Sequence, residues 1–291
     1  MNLIELLVEP LTYTFMLRAL AVTIIAAVLC AILSCWLVLI GWSLMGDAVS
    51  HAVLPGVVLA YIVGAPFALG ALVFGFIAVA LIGGVRDTSR LKEDAAIGIV
   101  FTTLFSFGLV LISVTPSQVD LNHIIFGNLL GVSAADLWQV LIIGAITFMI
   151  LLLKRKDFTL YAFDPTHAHA LGMNPKLMGA VLLGLLAMTS VVALQAVGVI
   201  LVVAMLIIPG ATAYLLTDRF GTMLVIAPVL AASGGVLGVY VSYYLDASTG
   251  GMVVLAQGLI FVAVYLFSPR QGLVASRLAI LRRRKALSTA G

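Results

Sequence analysis

The stretch Ser43-Leu44-Met45-Gly46-Asp47-Ala48-Val49-Ser50-His51-Ala52-Val53-Leu54-Pro55-Gly56 lies inside a long apolar region, and between Arg18 and Arg86 the only formal charge is Asp47. An ionisable side chain at bilayer depth costs about 2.5 to 3.5 kcal/mol on insertion scales, so it marks a pathway or a ligand site before it marks packing. His51 follows four residues later, and on a helix that spacing puts both side chains on one face with Cβ atoms about 5–6 Å apart. The quoted stretch therefore reads as part of a membrane helix that carries a polar pair.

The rest of the 291-residue chain agrees. Residues are 63% hydrophobic and 9% charged, with a mean hydropathy of +1.25, whereas about a quarter of a soluble domain is charged. Apolar runs long enough to cross a hydrocarbon core of about 30 Å recur along the sequence: 15–40, 45–63, 66–85, 95–114, 137–153, 177–194, 197–216, 221–245 and 251–267. The expected fold is an all-α, polytopic transmembrane helix bundle with eight or nine membrane segments. The count is open because Pro55, Gly64 and Pro66 interrupt the second and third runs, so one of them could be re-entrant or tilted. The first run is too long for a signal h-region and is read as a retained helix.

Basic residues cluster at Arg86, Arg90 and Lys92, at Lys154, Arg155, Lys156 and Lys176, at Arg219, and in the tail from Arg270 to Lys285, while residues 115–136 contain no Lys or Arg. Basic loops stay cytoplasmic, which with nine crossings puts the N-terminus outside and the C-terminus inside. The chain divides into a transmembrane domain at 1–269 and a basic cytoplasmic tail at 270–291 that can anchor on anionic lipid. Nucleic acid is not an expected partner.

Cys30 and Cys35 sit in the first apolar run on different helix faces and read as small lipid- or core-facing side chains, not as a disulfide or a metal pair. There is no GxxxxGK[ST] phosphate loop, so any ATP must be bound by another chain.

A carboxylate with an imidazole is an oxygen and nitrogen donor set suited to Mn²⁺, Zn²⁺ or Fe²⁺. Pro55 has no N–H, which is expected to leave the His51 carbonyl as a free acceptor, and Gly46 and Gly56 allow another backbone to approach. One chain offers two such side chains, whereas an ion needs four or more ligands, so the chain looks like half of a pore completed by a second chain. The competing reading makes Asp47 the N-cap of a helix that starts at Ala48, with His51 merely paired to it.

The segment from Leu44 to Gly56 resembles the signature of the metal-ion permeases of binding-protein-dependent ABC transporters, the manganese/zinc/iron-chelate uptake family. Lys92-Glu93-Asp94-Ala95-Ala96-Ile97-Gly98-Ile99, His123-Ile124-Ile125-Phe126-Gly127-Asn128-Leu129-Leu130-Gly131 and the run from Ala196 to Gly210 are similar to the same family, and the likeness extends from about Glu9 to Pro269. The overall likeness is to the manganese/iron branch, and no thiolate accompanies the pair to favour zinc, so manganese is the leading ion.

The resemblance implies an importer for divalent metal in which two permeases, identical or paralogous, form the path. Two cytoplasmic ABC ATPases would bind ATP and Mg beneath them, and an extracytoplasmic metal-binding protein would deliver the ion. It implies a multi-pass protein of the bacterial cytoplasmic (inner) membrane, not itself an enzyme, with no cofactor of its own beyond the transported metal. It assigns Asp47 and His51 as metal-binding residues in the path and matches residues 157–175 to the stretch that docks on the ATPase, with Asp164, Pro165, Ala170, Leu171 and Gly172 as its frame. Relatives usually carry an acidic residue and an arginine where this chain has Thr166 or His167 and His169. Independently of the family, Asp164-Pro165 reads as the opening of a short helix that Gly172 ends.

Lesser candidates are weaker. His123, beside Asp120, Asn122 and Asn128 in the outer loop, is a possible metal entry point or a packed loop histidine. His167 and His169, two apart, diverge on a helix and lack ligand-spaced partners for a metal sensor. Gln195 and Gln257 are expected to hydrogen-bond between helices, and Pro209-Gly210 reads as a helix break near the path. Two other classes of function remain: a proton-coupled secondary transporter with no ATPase, and an intramembrane metalloenzyme, for which the chain lacks a third ligand and an HExxH base.

Overall fold

The computed structural model describes residues 8–115, 131–268 other than Gly198, and Gly272. After a 3-10 turn at Glu9–Thr12, the described residues form twelve α-helices: α1 Thr14–Ile40, α2 Ser43–Ala52, α3 Leu54–Val63, α4 Phe67–Thr88, α5 Glu93–Val114, α6 Ala134–Leu153, α7 Arg155–Phe163, α8 Pro165–Ala170, α9 Pro175–Val197, α10 Val199–Leu216, α11 Phe220–Leu245 and α12 Thr249–Phe267. Among the described residues eight segments are long and apolar enough to cross a membrane, and the apolar part of α10, Val202–Leu216, is a shorter apolar helix. The segment at 44–63 is one of the eight, and so is the segment at 67–86, so both interrupted runs have spanning length.

Local chemistry sets the helix ends around the polar pair. Gly41 takes a left-handed φ of 86°, and the N–H groups of Gly41 and Trp42 both return to the Leu37 carbonyl, which ends α1 and starts α2 two residues later. The break between α2 and α3 falls at Val53, two residues before Pro55. There the Val53 N–H donates to the His51 carbonyl, so the acceptor expected to be free is already used. Gly64, at φ 73°, closes α3, and Pro66 leads into α4.

Helix α1 lies at the centre of the bundle, packed by α6, α9, α10 and α11, while α2 sits against α4, α5, α9 and α10. Met16, Leu33, Trp36 and Leu37 of α1 are buried. In lipid there is no hydrophobic drive between helices, so close van der Waals packing must hold them together. Gly56 of α3 and Gly70 of α4 show it: a Cβ on either would strike the other's backbone carbonyl. Gly108 of α5 lies under Leu54 and Pro55, with 3.0 Å to Leu54 Cδ2 from where its Cβ would be.

Pro209 does not break α10, which runs through it as continuous helix. Ser34 of α1 braces this point, its Oγ accepting from the Gly210 N–H at 3.1 Å and approaching the Ile207 carbonyl at 3.3 Å. Neighbouring helices thus stabilise the backbone that the proline perturbs. The loop expected at 157–175 also holds more structure than the sequence suggests, since α7 precedes the short helix. Phe158 of α7 is fully buried against the Trp36 ring of α1, and the Trp36 indole N–H donates to Thr159 Oγ1 at 3.3 Å.

Candidate metal site

Asp47 sits one turn inside α2, which begins at Ser43 and has Trp42 at its cap position, so the N-cap reading of Asp47 is not what the fold uses. The cause is the Gly41 turn, which starts the helix earlier than the sequence pattern suggests. His51 Nε2 lies 3.3 Å from Asp47 Oδ1 across one helical turn. The imidazole is 15% exposed and the carboxylate side chain 35% exposed, so the pair is at the bundle surface with the aspartate outermost.

The shape of the site comes from helices distant in sequence. Phe101 and Phe105 of α5 flank the imidazole at centroid distances of 5.4 and 5.3 Å, the second edge-on at 79°. His51 Nδ1 is buried and has no hydrogen-bond partner among the described residues. Toward α9, Ser50 Oγ donates to the Gly46 carbonyl at 2.6 Å and lies 3.4 Å from Ser190 Oγ of α9. Gly46 leaves room for Leu206 of α10, whose Cδ1 would be 3.3 Å from an added Cβ. Neither phenylalanine was singled out by sequence, where each is one more apolar residue in an apolar run.

The arrangement can present one carboxylate oxygen and one imidazole nitrogen to a small cation. Among the described residues no group of three His, Cys, Asp or Glu side chains converges, so one chain's described residues do not by themselves form a closed ligand shell. His167 and His169 are both exposed on α8. His123 and the side chain of Gln195 lie outside the described residues. Gln257 of α12 does reach across to α11, its Nε2 donating to the Ala231 carbonyl at 3.4 Å.

The residues matched to the ATPase-docking frame form a compact surface feature. Asp164 caps α8, accepting from the His167 N–H at 2.8 Å, Pro165 fills the first turn, and Gly172 ends the turn at φ 84°. Ala168 is buried, while Pro165, Ala170 and Leu171 are exposed.

Comparison with known proteins covers the whole of this architecture. The model of the ABC 3 transport family matches residues 12–268. The manganese transport system membrane protein MntB of Synechocystis sp. is 53% identical over 269 residues, covering 92% of this chain and 88% of that protein. The chelated iron transport system membrane protein YfeD of Yersinia pestis is 49% identical, covering 91% and 90%. Among solved structures, PsaBC from Streptococcus pneumoniae in complex with Fab superposes with a TM-score of 0.85 at 36% identity, over 93% of this chain and 98% of that one.

Proposed function

The chain belongs to the ABC 3 transport family, as a multi-pass membrane permease of a bacterial ABC importer and not the ATPase, and we propose that its cargo is a divalent transition metal that binds, on its way across, between two copies of Asp47 and His51. Manganese is the first choice of ion and iron the second, since relatives at 53% and 49% identity are named for manganese and chelated iron. Zinc is served by the same donors.

The observation that carries the reading is the pair itself: a carboxylate and an imidazole 3.3 Å apart on one partly buried helix face in an otherwise uncharged region. Two permeases facing each other would offer two carboxylates and two imidazoles, enough for an ion that one chain leaves under-coordinated. An ATPase dimer beneath would act through the exposed helix α8. Because α7 is tied to α1 through Trp36 and Thr159, motion at α8 has a packed route into the centre of the bundle. An extracytoplasmic metal-binding protein completes the proposed assembly.

The test is uptake of radioactive manganese and iron by a strain lacking this chain and complemented with wild type, Asp47→Ala or His51→Ala. Loss of uptake with normal membrane levels of the variants is expected. Full uptake in both variants would remove the pair from the path. Dependence of uptake on ATP in vesicles with a collapsed proton gradient separates this reading from a proton-coupled transporter.

A further inference from the structure

Histidines that hold a resident metal almost always donate their second ring N–H to a carboxylate, a carbonyl or a water, which fixes the ring and raises its strength as a ligand. His51 departs from that pattern. Its Nε2 faces Asp47, and its Nδ1 is buried without a partner among the described residues. What the ring meets instead is aromatic: Phe101 at 5.4 Å with an interplanar angle of 49°, and Phe105 at 5.3 Å in an edge contact. The two phenylalanines are one turn apart on α5 and 6.1 Å from each other, forming a continuous wall. That wall is brought against α2 and α3 because Gly108, one turn further along α5, has no side chain to hold Leu54 and Pro55 away.

We propose that Phe101 and Phe105 are positioning residues for metal transit: ring packing, in place of a hydrogen-bond acceptor, aims the His51 imidazole at the ion. Packing fixes the ring plane while leaving Nδ1 unpolarised, so the imidazole is oriented but is a weaker donor than one backed by a carboxylate. A ligand of that kind suits a site that must release its ion inward as well as capture it. The inference rests on His51 being a metal ligand, as proposed above.

The experiment uses the complete transporter, with its ATPase and delivery protein, purified and reconstituted. Equilibrium binding of Mn²⁺ alone is measured on wild type, Phe101→Leu, Phe105→Leu, Phe101→Tyr and Phe105→Tyr, together with X-ray absorption of the bound ion. Loss of the hydrogen-bond partner that orients a metal-ligating histidine typically costs about 10- to 100-fold in affinity, and that range is taken as the scale for loss of the packing that orients His51. The leucine variants are expected to fall in that range and to show less imidazole scattering, with unchanged melting temperature. The tyrosine variants, which keep the ring, are expected to bind within about twofold of wild type.

Leucine variants that bind Mn²⁺ as tightly as wild type, with undiminished imidazole scattering, would overturn the positioning role. His51→Ala separates the two readings. If it abolishes binding while the leucine variants bind normally, only the aromatic wall loses its role. If it binds and transports normally, the metal-site reading fails first.

Discussion

Gly56 on α3 and Gly70 on α4 touch backbone to backbone, each occupying the space where the other's Cβ would lie. No side chain can bend away from that contact, because the atoms in the way are carbonyl groups. The α3–α4 pair is thereby held at a spacing that a single methyl would destroy.

Gly56→Ala and Gly70→Ala are therefore each expected to destabilise the folded permease by about 1–3 kcal/mol, the usual cost of overpacking. Thermal melting in detergent and the amount of protein in membranes read this out. Gly83→Ala is the control, since nothing lies within 4 Å of the position its Cβ would take. It should melt at or slightly above the wild-type temperature, because alanine is the better helix former by about 1 kcal/mol.

Asp47→Asn keeps the size and the helix while removing the charge. Metal uptake is expected to collapse, whereas membrane abundance and melting temperature hold, because Asp47 is not a cap and its side chain is partly exposed. A parallel loss of abundance would point to a structural role for the aspartate instead.

Asp164→Ala removes the acceptor that holds the His167 N–H at the start of α8. Losing an N-cap of this type costs about 0.5–2 kcal/mol, enough to fray a helix of six residues. Faster amide exchange across 165–171 is expected, together with weaker coupling of ATP hydrolysis to uptake. Asp164→Ser, which retains a capping oxygen, should restore both.

Thr159→Val leaves the Trp36 indole N–H without its acceptor in a side chain that is 1% exposed. An unpaired buried donor costs about 1–3 kcal/mol. A double-mutant cycle with Trp36→Phe should show that the penalty falls well below additivity once the indole is gone, measured by melting temperature. Additive losses would mean that the two residues do not interact.

The positions of the spans were legible because hydropathy is a property of consecutive residues. Each of the nine apolar runs falls on helix, within a few residues at each end. The early start of α6 at Ala134 had a readable signal in Ser133 and Asp136, which form a capping box. Helix α7 was hidden because its charged sequence carries no apolar face strong enough to show a helical period. Phe158 becomes a core residue only through contact with Trp36, more than a hundred positions earlier.

The sequence alone determined that this is a membrane helix bundle and that Asp47 and His51 share one face, since both follow from composition and from spacing within a single helix. The tertiary structure decided that Asp47 lies inside α2, that Pro209 leaves α10 unbroken beside Ser34, and that His51 faces Phe101 and Phe105 with its Nδ1 unpartnered. The last two depend on which helix packs beside which. In an apolar sequence almost every residue is an equally plausible neighbour, so only the packed fold selects the wall behind the histidine.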